Sequence, residues 1–272
     1  MSKIAQMAVW AQDPHSDGII PPSFTVFRNP DLGRVEARNI FVLASVADLP
    51  AISTFVRVPY HRNHLRALFV REDGNAQFLP QLLDQAGLRI LRNILVHSGQ
   101  EVPKRVLRAW SLGCPAELIA TAQVTHDELF VLACDQSFFR VSFEEMAALR
   151  GIPPQGRSEF TISSEGSYLH WPEGDIHIDL DAVRCLKDDA WRTKKERERL
   201  LYDRRFGEAV AALRKRRGIK QTEIHGLSER QVRRIERGAR TRIDTLSIVA
   251  RSHGLSLKEY LDEIAATLSM ED

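Results

Sequence analysis

The chain has 272 residues, 43% hydrophobic and 27% charged, the composition of an ordinary globular protein with two domains or three small ones. No stretch of about 18 apolar residues is available to span a membrane, and the opening MSKIAQMAVWAQDPHSDG lacks the apolar run of a secretory signal, so a cytoplasmic protein is expected. Three scattered cysteines, Cys114, Cys134 and Cys185, argue against a disulfide framework and, without a C-x-x-C pair, against a structural zinc site.

The first stretch, 1–35, reads as irregular, because Asp13, Pro14, Gly18, Pro21, Pro22 and Gly33 punctuate it and leave room only for short strands. Residues 36–112 then alternate apolar runs with helical spacing. Strands are expected at 39–45 (NIFVLAS) and 65–70. Helices are expected at 48–57 with Asp48 as N-cap, at 79–86 with Gly87 as stop, and at 103–112 with Pro103 in the first turn. The period of 88–97 decides neither type. This is an α/β pattern without a nucleotide-binding fingerprint.

Residues 115–185 carry closely spaced strand candidates at 118–125, 128–134, 138–142, 159–163, 168–171 and 176–180. His126 and Asp127 suit a tight turn between the first two. A short helix is expected at 143–150, closed by Gly151, Pro153 and Pro154. A small antiparallel sheet with one helix follows from this pattern. The motifs ELFVLAC, FFRVSFEEM and SYLHWPEGDIHIDLDAV, with Trp171, Pro172, Asp175 and Ile176 entering a helix, resemble the bacterial domain of unknown function DUF2442. That resemblance implies no established chemistry. Some members are joined to a C-terminal helix-turn-helix.

The net charge of +2 hides an asymmetry. Residues 187–242 hold 19 basic and 9 acidic side chains, whereas 1–186 hold 17 and 21, and 243–272 hold 2 and 6. One basic segment between acidic ones suggests a local polyanion-binding face. Its first part, 186–205 (LKDDAWRTKKERERLLYDRR), reads as a charged helical connector. From Phe206 onward, Phe206, Val210 and Leu213 recur at helical spacing up to Gly218. A second helix starts at Lys220 and breaks at His225-Gly226. A third, 229–237, follows Ser228, which forms an S-x-x-Q capping box with Gln231 and ends at Gly238. Ile243 to Leu261 supply two more.

The runs LRKRRGIKQTEI, LSERQVRRIERG and IDTLSIVARSHGLSLKEYLDEI resemble the DNA-binding domain of phage-repressor and Cro-like (XRE) regulators. The sequence departs from that family between Gln221 and Gly226, where it is shorter. The resemblance implies that helix 229–237 enters the major groove. It places Glu229, Arg230, Arg233 and Arg234 at the bases, where an Arg can bond guanine and a Glu cytosine. Gln221, Ser228, Gln231, Arg237, Arg240 and Arg242 are then expected at phosphates. Arg214 and Glu236 are expected to pair with each other as a structural ion pair.

The expected fold class is therefore α+β: an N-terminal α/β region (1–112), a small antiparallel-sheet domain (115–185), the connector (186–205) and an all-α helix-turn-helix domain (206–272). The expected function is sequence-specific binding of double-stranded DNA by a transcription regulator, with a homodimer as the default state. A protein partner or small-molecule effector would belong to 1–185. The alternative is an antitoxin-like protein that binds a partner and represses its own operon. No membrane association, cofactor or catalytic residue is expected. His61 and His64 in YHRNH lack acidic or thiol neighbours at ligand spacing, and the alternating Asp175, Asp179 and Asp181 read as a half-exposed strand, so no metal is expected either.

Overall fold

The structure, a computed structural model, describes residues 5–28, 31–72 and 76–269; Met1–Ile4, read above for targeting, lie outside that range. The chain divides into two compact units, Met1–Lys187 and Asp188–Asp272, and its mixture of sheets and helices is the α+β class expected.

In the first unit, β1 (Ala5–Ala11), β2 (Thr25–Phe27), β3 (Ala37–Ala44), β4 (Leu65–Arg71) and β5 (Ile94–His97) form a parallel sheet in the order β2-β1-β3-β4-β5. Strands buried on both faces need near-continuous apolar sequence. Both β3 and β4 have it, and their side chains alternate between two cores. Ala8, Trp10, Ile40, Val42, Leu68 and Val70 face α1 (Leu49–Arg57) and α3 (Leu79–Gln85). Val9, Ala11, Phe41, Leu43, Ala67 and Phe69 face α4 (Glu101–Ser111). A helix of one and a half turns, α2 (Pro59–His64), precedes β4.

Two expectations need correction here. The irregular reading of 1–35 missed β1, a seven-residue strand that lies inside the sheet and buries Trp10 completely. Its signal is the run MAVWA, which the glycines and prolines after it obscured. Asp48 takes the N-cap position of α1, as expected, but its side chain makes no capping bond to the helix. A 3-10 turn (Val46–Asp48) precedes the helix, and the Asp48 carboxylate reaches back to accept from Ser45 N–H and Oγ, 2.8 Å each. The undecided stretch 88–97 becomes a strand only from Ile94.

The second half of this unit holds two three-stranded antiparallel sheets, where one was expected. One is β6 (Ile119–Thr125), β7 (Glu128–Ala133) and β8 (Phe138–Ser142); the other is β9 (Thr161–Ile162), β10 (Tyr168–Trp171) and β11 (Ile176–Asp179), followed by α5 (Leu180–Lys187). The helix expected at 143–150 is a chain of turns. Glu145 and Leu149 donate three residues back, to Ser142 and Met146, and no continuous four-residue ladder forms before Gly151 and the two prolines. Leu129, Val131, Phe143, Leu169 and Trp171 fill a core shared by both sheets. The β6–β7 hairpin also packs its other face on α4: Arg105 Nε donates to Ala120 O (2.9 Å) and Trp110 Nε1 to Cys134 O (3.1 Å).

The second unit is helical: α6 (Asp189–Arg216), a 3-10 turn (Gln221–Glu223), α7 (Glu229–Glu236), α8 (Ile243–Ser252) and α9 (Leu257–Ser269). The expected connector and the first helix after it are one 28-residue helix, capped by Asp188, which accepts from Trp191 N–H at 2.9 Å. At 1.5 Å per residue it is about 42 Å long. Only its C-terminal part is apolar on one side. There Ala209, Val210 and Leu213 meet Val232, Ile235, Val249, Tyr260 and Ile264 in the unit's core.

Candidate nucleic-acid interface

The basic segment of the sequence converges on α7. Ser228 caps it: Gln231 N–H donates to Ser228 Oγ (3.3 Å), and Ser228 N–H donates to Gln231 Oε1 (2.8 Å). Two of the orphan donors at the helix start are thereby satisfied. Val232 and Ile235 are its buried residues and hold one face to the core. The opposite face carries Glu229, Arg230, Arg233, Arg234 and Arg237, all exposed.

Two devices fix the mount. Arg214 of α6 forks onto Glu236 of α7, Nε to Oε1 at 2.5 Å and Nη2 to Oε2 at 3.2 Å, and its Nη1 donates to Ile219 O at 2.6 Å. The two side chains are 11% and 9% exposed, so the pair is screened little by solvent. The second device was not read from the sequence. Gly207 of α6 lies against Gly238 at the end of α7, where a Cβ on Gly207 would sit 2.5 Å from Gly238 N and 2.7 Å from Ile235 O. A Cβ on Gly238 would sit 2.7 Å from Asp203 O, and its φ of +87° is itself a glycine conformation. A glycine inside an apolar-periodic helix is the signal that marks this crossing.

The expected contact residues fall into two groups. Glu229 and Arg233 form an ion pair along α7, and Arg240 reaches Asp203 Oδ2 at 3.1 Å. Ser228 and Gln231 bond each other, and Gln221 donates to Glu236 Oε2 at 2.6 Å. Gln221 stands on a three-residue 3-10 turn rather than on the second helix expected from Lys220, so no helix dipole supports it. Arg230, Arg234, Arg237 and Arg242 form the other group. Their side chains are exposed and have no ion-pair or hydrogen-bond partner among the described residues. Arg216 and Arg217, also in the basic segment, are bound to Glu263 of α9 and stand apart from this face.

The histidines of YHRNH are taken up by packing. His61 stacks on Phe55 at 4.1 Å, and His64 stacks on Tyr60 at 4.4 Å and bonds its carbonyl.

Residues 119–184 match the family described as "Protein of unknown function (DUF2442)". No curated protein matches the chain, and no solved structure matches it.

Proposed function

We propose that the second unit is a helix-turn-helix domain of the XRE kind and that the protein is a sequence-specific double-stranded-DNA-binding transcription regulator. The observation that carries this reading is the set of unpaired arginines on a capped helix whose other face is locked to a core. Arg230, Arg234 and Arg237 contribute nothing visible to folding, yet the structure holds them on one rigid surface. An α-helix with its side chains is about 10–12 Å across, which the B-DNA major groove, about 12 Å wide, admits. Arg230 and Arg234, four apart on α7, are the proposed base readers, with Glu229 and Arg233 released from their mutual pair on binding. Arg237, Arg240 and Arg242 follow the helix and serve phosphates, joined by Gln221, Ser228 and Gln231 at the turn side.

A homodimer on two half-sites, in the cytoplasm, completes the proposal. The first unit supplies the regulatory input. A crevice of about 490 Å³ opens at the carboxyl ends of β1, β3, β4 and β5, beside the point where the sheet order switches from β2-β1 to β3. Open parallel sheets bind small ligands at this position. Asp13, Ser45, Arg71 and His97 line it, a mixture of donors and acceptors suited to a small polar effector.

Selection of duplexes from a random pool by the purified full-length protein tests the function. Enrichment of a palindromic consensus is expected. Folded protein that enriches no sequence would overturn the regulator reading.

A further inference from the structure

We propose that the β10–β11 hairpin holds a divalent transition-metal ion, with zinc as the natural occupant, between His170, Asp175 and His177. The site is independent of the DNA-binding reading.

The hairpin's register creates it. His170 and His177 are directly opposed across the two strands, as are Leu169 with Ile178 and Trp171 with Ile176. Alternation sends Leu169, Trp171 and Ile178 into the core and leaves the two imidazoles together on the other face. Trp171 Nε1 donates to Arg157 O at 3.0 Å and fixes the end of β10. The turn brings the third group. Asp175 is one of three described non-glycine residues with positive φ, at +50°, and follows Gly174 at +92°. That uncommon backbone folds its carboxylate back over the strand pair.

The distances match a coordination shell. Asp175 Oδ1 is 3.3 Å from His170 Nε2 and 3.6 Å from His177 Nδ1. All three ligand atoms lie within 4.8 Å of one another. Tetrahedral bonds of roughly 2.0–2.1 Å place neighbouring ligand atoms about 3.3 Å apart. The two rings are stacked, 4.2 Å between centroids and 11° between planes.

Hydrogen bonding does not explain the arrangement. His170 Nε2 is out of contact with water and has no hydrogen-bond partner among the described residues, although the Asp175 oxygen is 3.3 Å away. A buried nitrogen in that state costs free energy unless something accepts its lone pair or takes its proton. A shared cation satisfies it together with the carboxylate. Two neutral imidazoles and one carboxylate suit zinc, nickel or copper rather than calcium or magnesium, which prefer oxygen shells. Three protein ligands leave a tetrahedral ion one position for water.

The test uses the full chain, titrated with Zn²⁺ in competition with a chromophoric chelator and with Co²⁺ as a spectroscopic substitute. One ion per chain is expected, with Co²⁺ bands of a nitrogen and oxygen site and no thiolate charge transfer. Asp175→Asn keeps a residue that tolerates positive φ, and His177→Ala removes a half-exposed ring, so both variants should stay folded. Each should weaken Zn²⁺ binding by at least about tenfold, whereas His126→Asn, on the β6–β7 turn and also at positive φ, should bind as the parent does. Zn²⁺ should also raise the thermal midpoint of the parent and not that of Asp175→Asn. Thiolate charge transfer, or affinity unchanged in both ligand variants, would overturn the site.

Discussion

The two units use arginine in opposite ways. In the first, Arg105, Arg157 and Arg184 are buried and bonded to neighbouring groups. Arg184 Nη1 donates to Ala116 O at 2.6 Å and to Asp135 Oδ2 at 3.0 Å and lies over the Phe139 ring; Arg157 pairs with Asp127 and lies over Phe143. In the second, one arginine, Arg214, is treated this way, and the arginines of α7 face solvent. A buried guanidinium is tolerated only when its donors are satisfied, so its place in the fold explains it. An exposed, unpaired one adds little to stability, and on the proposed reading its placement on a rigid helix serves a partner outside the fold.

The largest expected effect tests the buried side of this contrast. Arg214→Ala leaves the Glu236 carboxylate buried without its partner and should destabilise the second unit by about 3–5 kcal/mol. Arg184→Ala should cost the first unit about 2 kcal/mol, since Asp135 stays nearer water. Denaturant titration of each variant measures both. Gly207→Ala comes next, at about 1–3 kcal/mol from forced overpacking against the α7 backbone.

On the exposed side, Arg230→Ala and Arg234→Ala should change stability by less than about 0.5 kcal/mol. Each should nevertheless lose roughly 1–3 kcal/mol of discrimination between the selected duplex and a scrambled one. Equal losses on both duplexes would remove them from base readout, and a stability loss like that of Arg214→Ala would erase the contrast itself. The smallest effect is that of Arg242→Ala, which should weaken both duplexes alike and lower the salt slope by about one.

Acid should separate the units by another route. His253 is buried, its Nδ1 2.8 Å from Val249 O, and desolvation holds its pKa below the ordinary 6.5. Below 6.5 the unfolded chain takes the proton first, so this contribution to the second unit's stability is present above that pH and is lost as pH falls towards the folded value. His253→Gln should flatten that slope in denaturant titrations between about pH 7 and pH 5.

Much of the fold was legible where one local signal decided the element. The S-x-x-Q box at Ser228, Gly87, Gly218 and Gly238 after their helices, and the apolar runs of β3 and β4 all announce themselves within a few residues. What stayed hidden depends on distant parts of the chain. The strand β1 is short of β-branched residues and becomes a strand because β2 and β3 hydrogen-bond to its two edges. The turns at 143–150 fill the end of a core that the neighbouring sheets define. The exposed charged residues of α7 were readable because they lie within one helix, but their pairing states were not. Neither the reach of Arg240 to Asp203, 37 residues earlier, nor the meeting of Gly207 with Gly238 can be read from helical period.

That glycine crossing also limits how a signal could be transmitted. With no side chain between them, α6 and the end of α7 touch backbone to backbone and have no soft layer in which to slide or tilt. The two helices must therefore move as a single rigid lever. If the second unit binds DNA as proposed, control of that binding would act by moving the whole unit, or by changing the spacing between two copies of it, rather than by bending α7 away from its support.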